Sequence, residues 1–240
     1  LSAVVTIRMS LPEATFRSEE SLRDIDSVLR RLKQRGCTLL VTGDVPVPVS
    51  GLATRRLLGD PDCDRKRVLA FTDATVEHVD HCLPSGVARD DPDVWVVDPE
   101  GERRAIPDRA TGVELPSRDA DQSDLSRLRQ ELVQAVGFFD DATGGLDPAE
   151  LRVGVAALDS LLAANGRPAA VRFLRAVVAL VQGVGGMGHV RLPFPDDHEV
   201  VRDLSPLFDA RIELRKRGQT PPEQRWHVPR HDLTTVWTGL

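Results

Sequence analysis

Residues 37–60 read CTLLVTGDVPVPVSGLATRRLLGD, and the fold expected for this chain follows from them. A short apolar run covers Thr38–Val41, turn-forming residues fill Gly43–Gly51, and a helical pattern follows around Leu52–Leu58. A strand, a loop and a helix in this order are the frame in which a phosphate-binding loop normally lies. The stretch therefore predicts one strand–helix unit of an α/β protein.

The loop lacks most of the residues that hold phosphate. In the pattern G-x-x-x-x-G-K-[ST], Gly43 fits the first position and Ser50 fits the last. Pro48 stands where the second glycine belongs, and Val49 stands where the lysine belongs. Proline has no N–H to donate, and valine carries no charge to neutralise a phosphate. We therefore expect the strand–helix geometry to be kept and ATP hydrolysis at this loop to be lost.

The rest of the chain alternates between helical and strand patterns. Helices are predicted at residues 18–36, at 76–82, from 124 onward, and at 158–164, 168–182 and 196–204. Strands are predicted at 67–72, 94–97, 151–155, 190–194, 211–214, 225–228 and 235–238. This order predicts an α/β fold with a mostly parallel sheet flanked by helices and antiparallel strands at the C-terminal end.

Composition and charge are those of an ordinary globular protein. The chain has 240 residues, of which 41% are hydrophobic and 28% charged, and its net charge is −6. A net negative charge gives no overall attraction to nucleic acid or to acidic membranes. No apolar run approaches the roughly 20 residues of a membrane helix. Three cysteines without a paired framework favour a reducing cytoplasm.

The distribution of residues suggests where the domain lies. We expect residues 18–240 to form a single domain. Residues 1–17 are expected to form an N-terminal tail without fixed structure. Residues 90–124 are rich in acidic side chains and contain several prolines. We interpret them as an exposed, acidic excursion from the domain.

Several segments resemble a known family. QRGCTLLVTGDVP, RRLLGDP and RVLAFTDA resemble the opening of RecA-like ATPases of the KaiC type, and more closely an uncharacterised haloarchaeal family described as KaiC-like. The later segments ELRVGVAALDSLL, GHVRLPFPDDHEVVRDLSPLFDARIELR and RWHVP fit the same plan. The resemblance extends over residues 21–240. It implies a RecA-like, P-loop-type sheet, and because RecA-like domains often form rings or filaments, it implies self-association as well.

The resemblance also directs attention to a second strand. In KaiC-type proteins this strand ends in an aspartate that holds the water shell of Mg²⁺. Ala156 stands at that place here, and the next aspartate, Asp159, lies three residues further on in a predicted helix. The loop lacks its second glycine and its lysine, and the second strand lacks its aspartate. The sequence therefore favours a non-catalytic protein over an enzyme.

Four residues are left as vestiges of a nucleotide site, and no catalytic residue, metal ligand or cofactor is predicted. Asp73 follows the strand predicted at 67–72, at the carboxyl end where parallel sheets place functional side chains. The vestigial nucleotide-binding residues are Gly43, Asp44, Ser50 and Asp73. Binding of ATP with Mg²⁺ through Asp44, Asp73 or Asp159 is the alternative.

Two further motifs have simpler interpretations. Residues 183–188, GVGGMG, match G-x-G-x-x-G, but a dinucleotide site needs a strand before the glycines and a helix after them. Here the predicted order is reversed, which favours a plain helix-to-strand connection. His78, His81 and Cys82, with Cys63 upstream, are zinc-type ligands whose spacing matches no closed four-ligand pattern. Polar residues on a short helix explain them better.

Three functions follow from these residues. The first is a regulatory or scaffolding role in signalling through contacts with an unidentified protein partner. The second is an ATP-binding KaiC-like ATPase that uses replacement residues. The third is nucleic-acid binding by the basic strip Arg211–His231, which includes Trp226 and His227. Charged edge strands explain this strip more simply, so we expect no nucleic-acid partner.

Overall fold

The computed structural model describes residues 27–28, 30–71, 76–98, 105–107, 110, 124–156 and 158–240. The tail expected at 1–17, most of the acidic excursion expected at 90–124, and Asp73 lie outside these residues. The part of the excursion that is described includes a strand at Val94–Val97 whose side chains are all buried. Residues 94–97 are therefore part of the sheet.

Strands and helices alternate through the described residues. Residues 27–28 and 30–35 are helical and form α1. The other helices are α2 (Val47–Leu57), α3 (Val76–Cys82), α4 (Asp124–Thr143), α5 (Leu158–Gly183) and α6 (Glu199–Leu204). The strands are β1 (Cys37–Thr42), β2 (Lys66–Ala70), β3 (Val94–Val97), β4 (Leu151–Val155), β5 (Met187–Leu192), β6 (Ala210–Arg215), β7 (Glu223–Val228), β8 (Leu233–Thr234) and β9 (Thr238–Gly239).

All of these strands belong to one mixed sheet. Their order is β3-β2-β4-β5-β1-β6-β7-β8, and β9 pairs with β7 beside this path. The strands from β3 to β6 in this order are parallel, and β7 runs antiparallel to β6. β8 and β9 are antiparallel to β7. The prediction of a mostly parallel sheet with antiparallel strands at the C-terminal end is confirmed.

Helices cover both faces of the sheet. β1 shows why, because its side chains alternate in direction and are buried on both sides. Leu40 packs in a core with α4, α5 and α6 on one face. Leu39 and Val41 pack in a second core with α1 and α2 on the other face. A third core lies beneath α3 on that same face. None of the described helices has a stretch long and apolar enough to cross a bilayer.

Several predicted boundaries were wrong for identifiable reasons. The linker expected after Gly137 is helical as far as Thr143, because Phe139 is fully buried in the core beneath α4. The strand expected at 235–238 is instead two short pieces, β8 and β9, that pair with different parts of β7. By contrast, the two helices expected on either side of Gly166 are confirmed, because α5 consists of two helical segments that meet at Gly166, whose φ of 75° and ψ of 163° are not helical.

Candidate functional site

The carboxyl ends of β1 and β5 are one place where the topology of this sheet predicts a crevice. β1 continues into α2 on one face, and its neighbour β5 continues into α6 on the opposite face. Loops that leave adjacent parallel strands toward opposite faces open a crevice between them, where ligands of α/β sheets bind. The predicted residues Gly43 and Asp44 lie at this edge, directly after β1.

The loop after β1 is much shorter than the sequence suggested. It contains only residues 43–46, because α2 begins at Val47 with Pro46 as its N-cap. The predicted loop Gly43–Gly51 was therefore wrong, and Ser50 lies inside the helix. Pro48 is the second residue of α2, where the missing N–H costs nothing because the first helical N–H groups have no intrahelical acceptor. A proline expected in the loop instead lies in the first turn of the helix.

Gly43 is held in place by its neighbours in the sheet. Its N–H donates to the carbonyl oxygen of Phe194 at 2.8 Å, in the segment after β5. A Cβ atom on Gly43 would lie 2.3 Å from the carbonyl oxygen of Leu214 in β6, and the residue's φ of 118° favours glycine. The close approach of backbone to backbone explains this glycine without a phosphate.

Two further groups of this segment also contact protein. The Ser50 hydroxyl is buried and donates to the carbonyl oxygen of Val47 at 2.9 Å. A guanidinium N–H of Arg191 donates to the carbonyl oxygen of Val45 at 3.3 Å. Asp44 is exposed. Of the four residues predicted as vestiges of a nucleotide site, two adjoin each other in the loop, Ser50 lies in α2, and Asp73 is outside the described residues.

The second half of the expected site has no carboxylate at the end of its strand. β4 ends at Val155, and the N–H of the next residue, Ala156, donates to the carbonyl oxygen of Ala70 at 2.9 Å. Asp159 lies in the first turn of α5. The alanine therefore stands at the strand end, and its backbone links β4 to β2.

A group of charged and polar side chains lies beside β1 on the face that α6 covers. We name this group the carboxyl-edge cluster. The Thr42 hydroxyl, on the last residue of β1, donates to an Asp196 oxygen at 2.9 Å. Arg211 of β6 donates to both oxygens of Asp196, from Nε at 2.6 Å and from Nη2 at 2.8 Å. The cluster consists of Thr42, Asp196, Arg211, Glu213, Arg225 and His227.

His227 stands between the two carboxylates of this cluster. Its Nε2 lies 3.1 Å from Oε2 of Glu213 and 3.8 Å from Oδ2 of Asp196. Its Nδ1 lies 3.4 Å from the hydroxyl of Thr234. Arg225 donates to the same Glu213 oxygen. The side chains of Asp196, Glu213 and His227 are 15%, 15% and 13% exposed, so the cluster is partly buried but reachable from solvent.

Of the H-x-x-H-C motif at residues 78–82, the structure describes the side chains of His81 and Cys82. Cys82 is buried, and burial raises the pKa of its thiol to about 11, which disfavours the thiolate that binds zinc. His81 and Cys63 are exposed. The one group of three or more ligand-type side chains found among the described residues is Asp196, Glu213 and His227.

His189 has a structural position in the middle of β5. It is 4% exposed, and a Cβ atom on Gly154 in the neighbouring strand would lie 2.9 Å from its ring. Burial, with the nearby charge of Arg152, lowers the pKa of His189 to about 4. The ring is therefore neutral at ordinary pH. The G-x-G-x-x-G motif before it connects the end of α5 to β5, so the helix-to-strand interpretation is confirmed.

The basic strip at the C-terminal end is largely paired. The Nε of Arg215 donates to Glu223 at 2.8 Å, and Arg225 donates to Glu213. Both guanidinium groups lie over the ring of Trp237, at 3.7 and 4.7 Å from its centroid. Cations that are already paired and stacked offer less to a phosphate backbone than free ones.

Sequence reasoning did not find the carboxyl-edge cluster. Its members come from β1, from the segment after β5, and from β6 and β7, so their proximity depends on the strand order. One signal was present in the sequence, because β6 reads ARIELR, in which apolar and charged residues alternate. That alternation places Arg211 and Glu213 on the same face of the strand.

Residues 36–214, about three quarters of the chain, match the profile described as "Family of unknown function (DUF7504)". No curated protein matches the chain.

Proposed function

The chain belongs to the DUF7504 family of unknown function, and we propose that it is a non-catalytic, RecA/KaiC-like protein with a regulatory or scaffolding role. In this proposal the sheet and its helices present surfaces to another protein, or to a second copy of the chain, and no nucleotide is turned over. The proposed partner remains unidentified, and self-association is part of the proposal. The cytoplasm is the proposed location.

The observation that carries the proposal is the four-residue loop between β1 and α2. The N–H of Gly43 and the carbonyl of Val45 already bond within the protein. A phosphate-binding loop needs several free N–H groups directed at the anion, together with a cation. Pro46 and Pro48 supply no N–H, and Val49 supplies no cation. This arrangement supports a protein that uses the strand–helix frame for structure only.

The arrangement of the sheet supports the proposal that the fold is RecA-like. A mostly parallel sheet covered by helices on both faces, with antiparallel strands added at its C-terminal end, is what that interpretation predicts. The place of Ala156 at the end of β4 agrees with the interpretation that the second catalytic element is lost as well.

The proposal is tested by measuring phosphate release from Mg-ATP with the full chain and with a Ser50→Ala variant. We expect no release above buffer for either protein. The Ser50 hydroxyl bonds to the carbonyl of Val47, so the substitution removes a helix contact and no catalytic group. Turnover by the full chain that disappears in Ser50→Ala would overturn the proposal, because the hydroxyl would then act on a bound nucleotide.

The nucleic-acid alternative has its own test. We expect no gel shift of single- or double-stranded nucleic acid at low salt, because Arg215 and Arg225 are paired with glutamates and stacked on Trp237. The same assay with Arg215, Lys216 and Arg217 changed to alanine is the matched comparison. A salt-sensitive shift that is lost in this triple variant would support nucleic-acid binding instead.

A further inference from the structure

We propose that Asp196, Glu213 and His227 form a binding site for a divalent transition-metal ion, with Zn²⁺ the preferred one. This inference goes beyond the proposed function, because neither the loop after β1 nor a nucleotide takes part in it. It starts from the observation that one ligand atom from each of the three side chains lies within 4.8 Å of the others.

The spacing of these atoms fits tetrahedral coordination. Ligand atoms bound to Zn²⁺ at about 2.0–2.2 Å in a tetrahedron lie about 3.3 Å from one another. The Nε2 of His227 is 3.1 Å from Glu213 Oε2 and 3.8 Å from Asp196 Oδ2. The Asp196 and Glu213 oxygens lie within 4.8 Å of each other, so side-chain rotations would have to bring all three atoms to the tetrahedral spacing. Three protein ligands leave a fourth position for water, and the partial exposure of the side chains allows water to reach it.

The backbone holds the three ligands in a fixed relation. Glu213 and His227 lie on the antiparallel pair β6 and β7, where Arg211 pairs with His227 and Glu213 pairs with Arg225. Asp196 comes from the segment after β5 and is fixed by Thr42 and by both donors of Arg211. A site supported by strands is already ordered before an ion arrives, so little conformational entropy is lost on binding.

Contacts around the ligands are those that metal-bound side chains usually have. A metal-bound histidine commonly uses its second nitrogen in a hydrogen bond, and Nδ1 of His227 lies next to the Thr234 hydroxyl. Ligating carboxylates are commonly held by hydrogen bonds, and Asp196 accepts one from Thr42. These contacts leave Nε2 of His227 directed at the two carboxylates.

The arginines set the expected strength of binding. Arg211 and Arg225 balance the charge of Asp196 and Glu213, so an added dication meets a cluster that is already close to neutral. Each carboxylate has about four lone-pair sites, so it can keep its arginine and still bind an ion. We therefore expect micromolar affinity. An imidazole ligand favours Zn²⁺ over Mg²⁺ or Ca²⁺, which prefer all-oxygen sites.

The test uses the full chain, freed of metal with a chelator and titrated with Zn²⁺ against a chromophoric competitor. We expect one zinc ion per chain and a rise in the melting temperature when zinc is added. Glu213→Gln and His227→Gln should each weaken binding by more than about tenfold, and Thr42→Val by about tenfold, because it removes only a supporting hydrogen bond. His81→Ala, which removes part of the H-x-x-H-C motif, should bind as the unchanged chain does.

A Co²⁺ spectrum of the unchanged chain identifies the type of ligand atom without relying on the folding of any variant. Binding through nitrogen and oxygen gives visible d–d bands without the near-ultraviolet charge-transfer band of a thiolate. We expect the d–d bands alone, and we expect them to vanish in His227→Gln. A thiolate band would place the ion at a cysteine, and loss of zinc binding in His81→Ala would place it on α3. Either result, or the absence of binding at micromolar concentrations, would overturn the proposal.

Discussion

Gly43 is a residue whose identity is determined by its backbone surroundings. The chain passes so close to β6 that a Cβ atom would lie 2.3 Å from the carbonyl oxygen of Leu214, and the φ of 118° is one that L-amino acids rarely adopt. Two separate costs therefore act against any side chain at this position. The first glycine of an apparent phosphate loop is here a requirement of strand packing.

We predict that Gly43→Ala lowers the free energy of unfolding by about 3 kcal/mol or more, because strain and steric overlap add together. The comparison is Gly86→Ala, where φ is +85° and no described atom lies within 4 Å of the added carbon. That variant should cost only about 1–2 kcal/mol, from φ alone. Urea denaturation of both proteins measures the difference. Equal costs would show that the contact with Leu214 has no energetic weight.

His189 is a second residue whose surroundings determine its behaviour. Burial and the charge of Arg152 lower its pKa to about 4 in the folded protein, below the ordinary value of 6.5. Between these values the unfolded chain binds a proton that the folded chain does not, so unfolding becomes easier as the pH falls from about 6.5 to 4. Above about pH 6.5 both states are neutral and this contribution to stability is complete.

We predict that this residue alone accounts for a loss of about 3 kcal/mol of stability between pH 6.5 and pH 4. In His189→Leu that part of the pH dependence should be missing, whatever the substitution costs at neutral pH. Denaturant unfolding at a series of pH values in both proteins measures it. Parallel curves for the two proteins would contradict the assignment.

At the scale of elements, helix α4 contains a glycine that no contact requires. Gly137 has ordinary helical geometry, and a Cβ atom there would meet no described atom within 4 Å. Glycine in a helix interior costs about 0.5–1 kcal/mol relative to alanine. We predict that Gly137→Ala stabilises the protein by that amount, measured as a higher urea midpoint. A destabilising result would indicate that this face of α4 contacts something outside the described residues.

Gly154→Ala is the matched opposite case, because the added carbon would lie 2.9 Å from the His189 ring and 3.0 Å from Leu69. Overpacking of this kind typically costs about 1–3 kcal/mol. Nothing in the sequence alone indicates that Gly137 and Gly154 differ in this way. The difference arises because Gly154 in β4 packs against His189 in β5.

Elements with strong local signals were predicted well. Leu39–Val41 in β1 and Val94–Val97 in β3 are continuous apolar runs that are buried, and such runs are typical of parallel strands. The helix from Asp124 and the helix at Val76–Cys82 were also predicted correctly. The start of α2 was missed because prolines were counted as loop residues. In the structure Pro46 caps the helix and Pro48 lies in its first turn.

At the scale of the whole molecule, the sequence could not predict the carboxyl-edge cluster. Thr42 and Asp196 are separated by 154 positions in the chain. They come together because β1 lies between β5 and β6 in the sheet. Strand order depends on how the helices pack on both faces, and periodicity within one segment carries no information about it. The loop after β1 differs in this respect, because the sequence alone shows that the lysine of a phosphate-binding loop is absent from it.

We propose that the edge of the sheet after β1 does not bind a nucleotide. Calorimetric titration of the full chain with Mg-ATP tests this claim most directly. Because the loop is four residues long, and the N–H of Gly43 and the carbonyl of Val45 bond within the protein, we predict no heat of binding at micromolar to submillimolar nucleotide. Saturable binding with a micromolar dissociation constant would contradict the account.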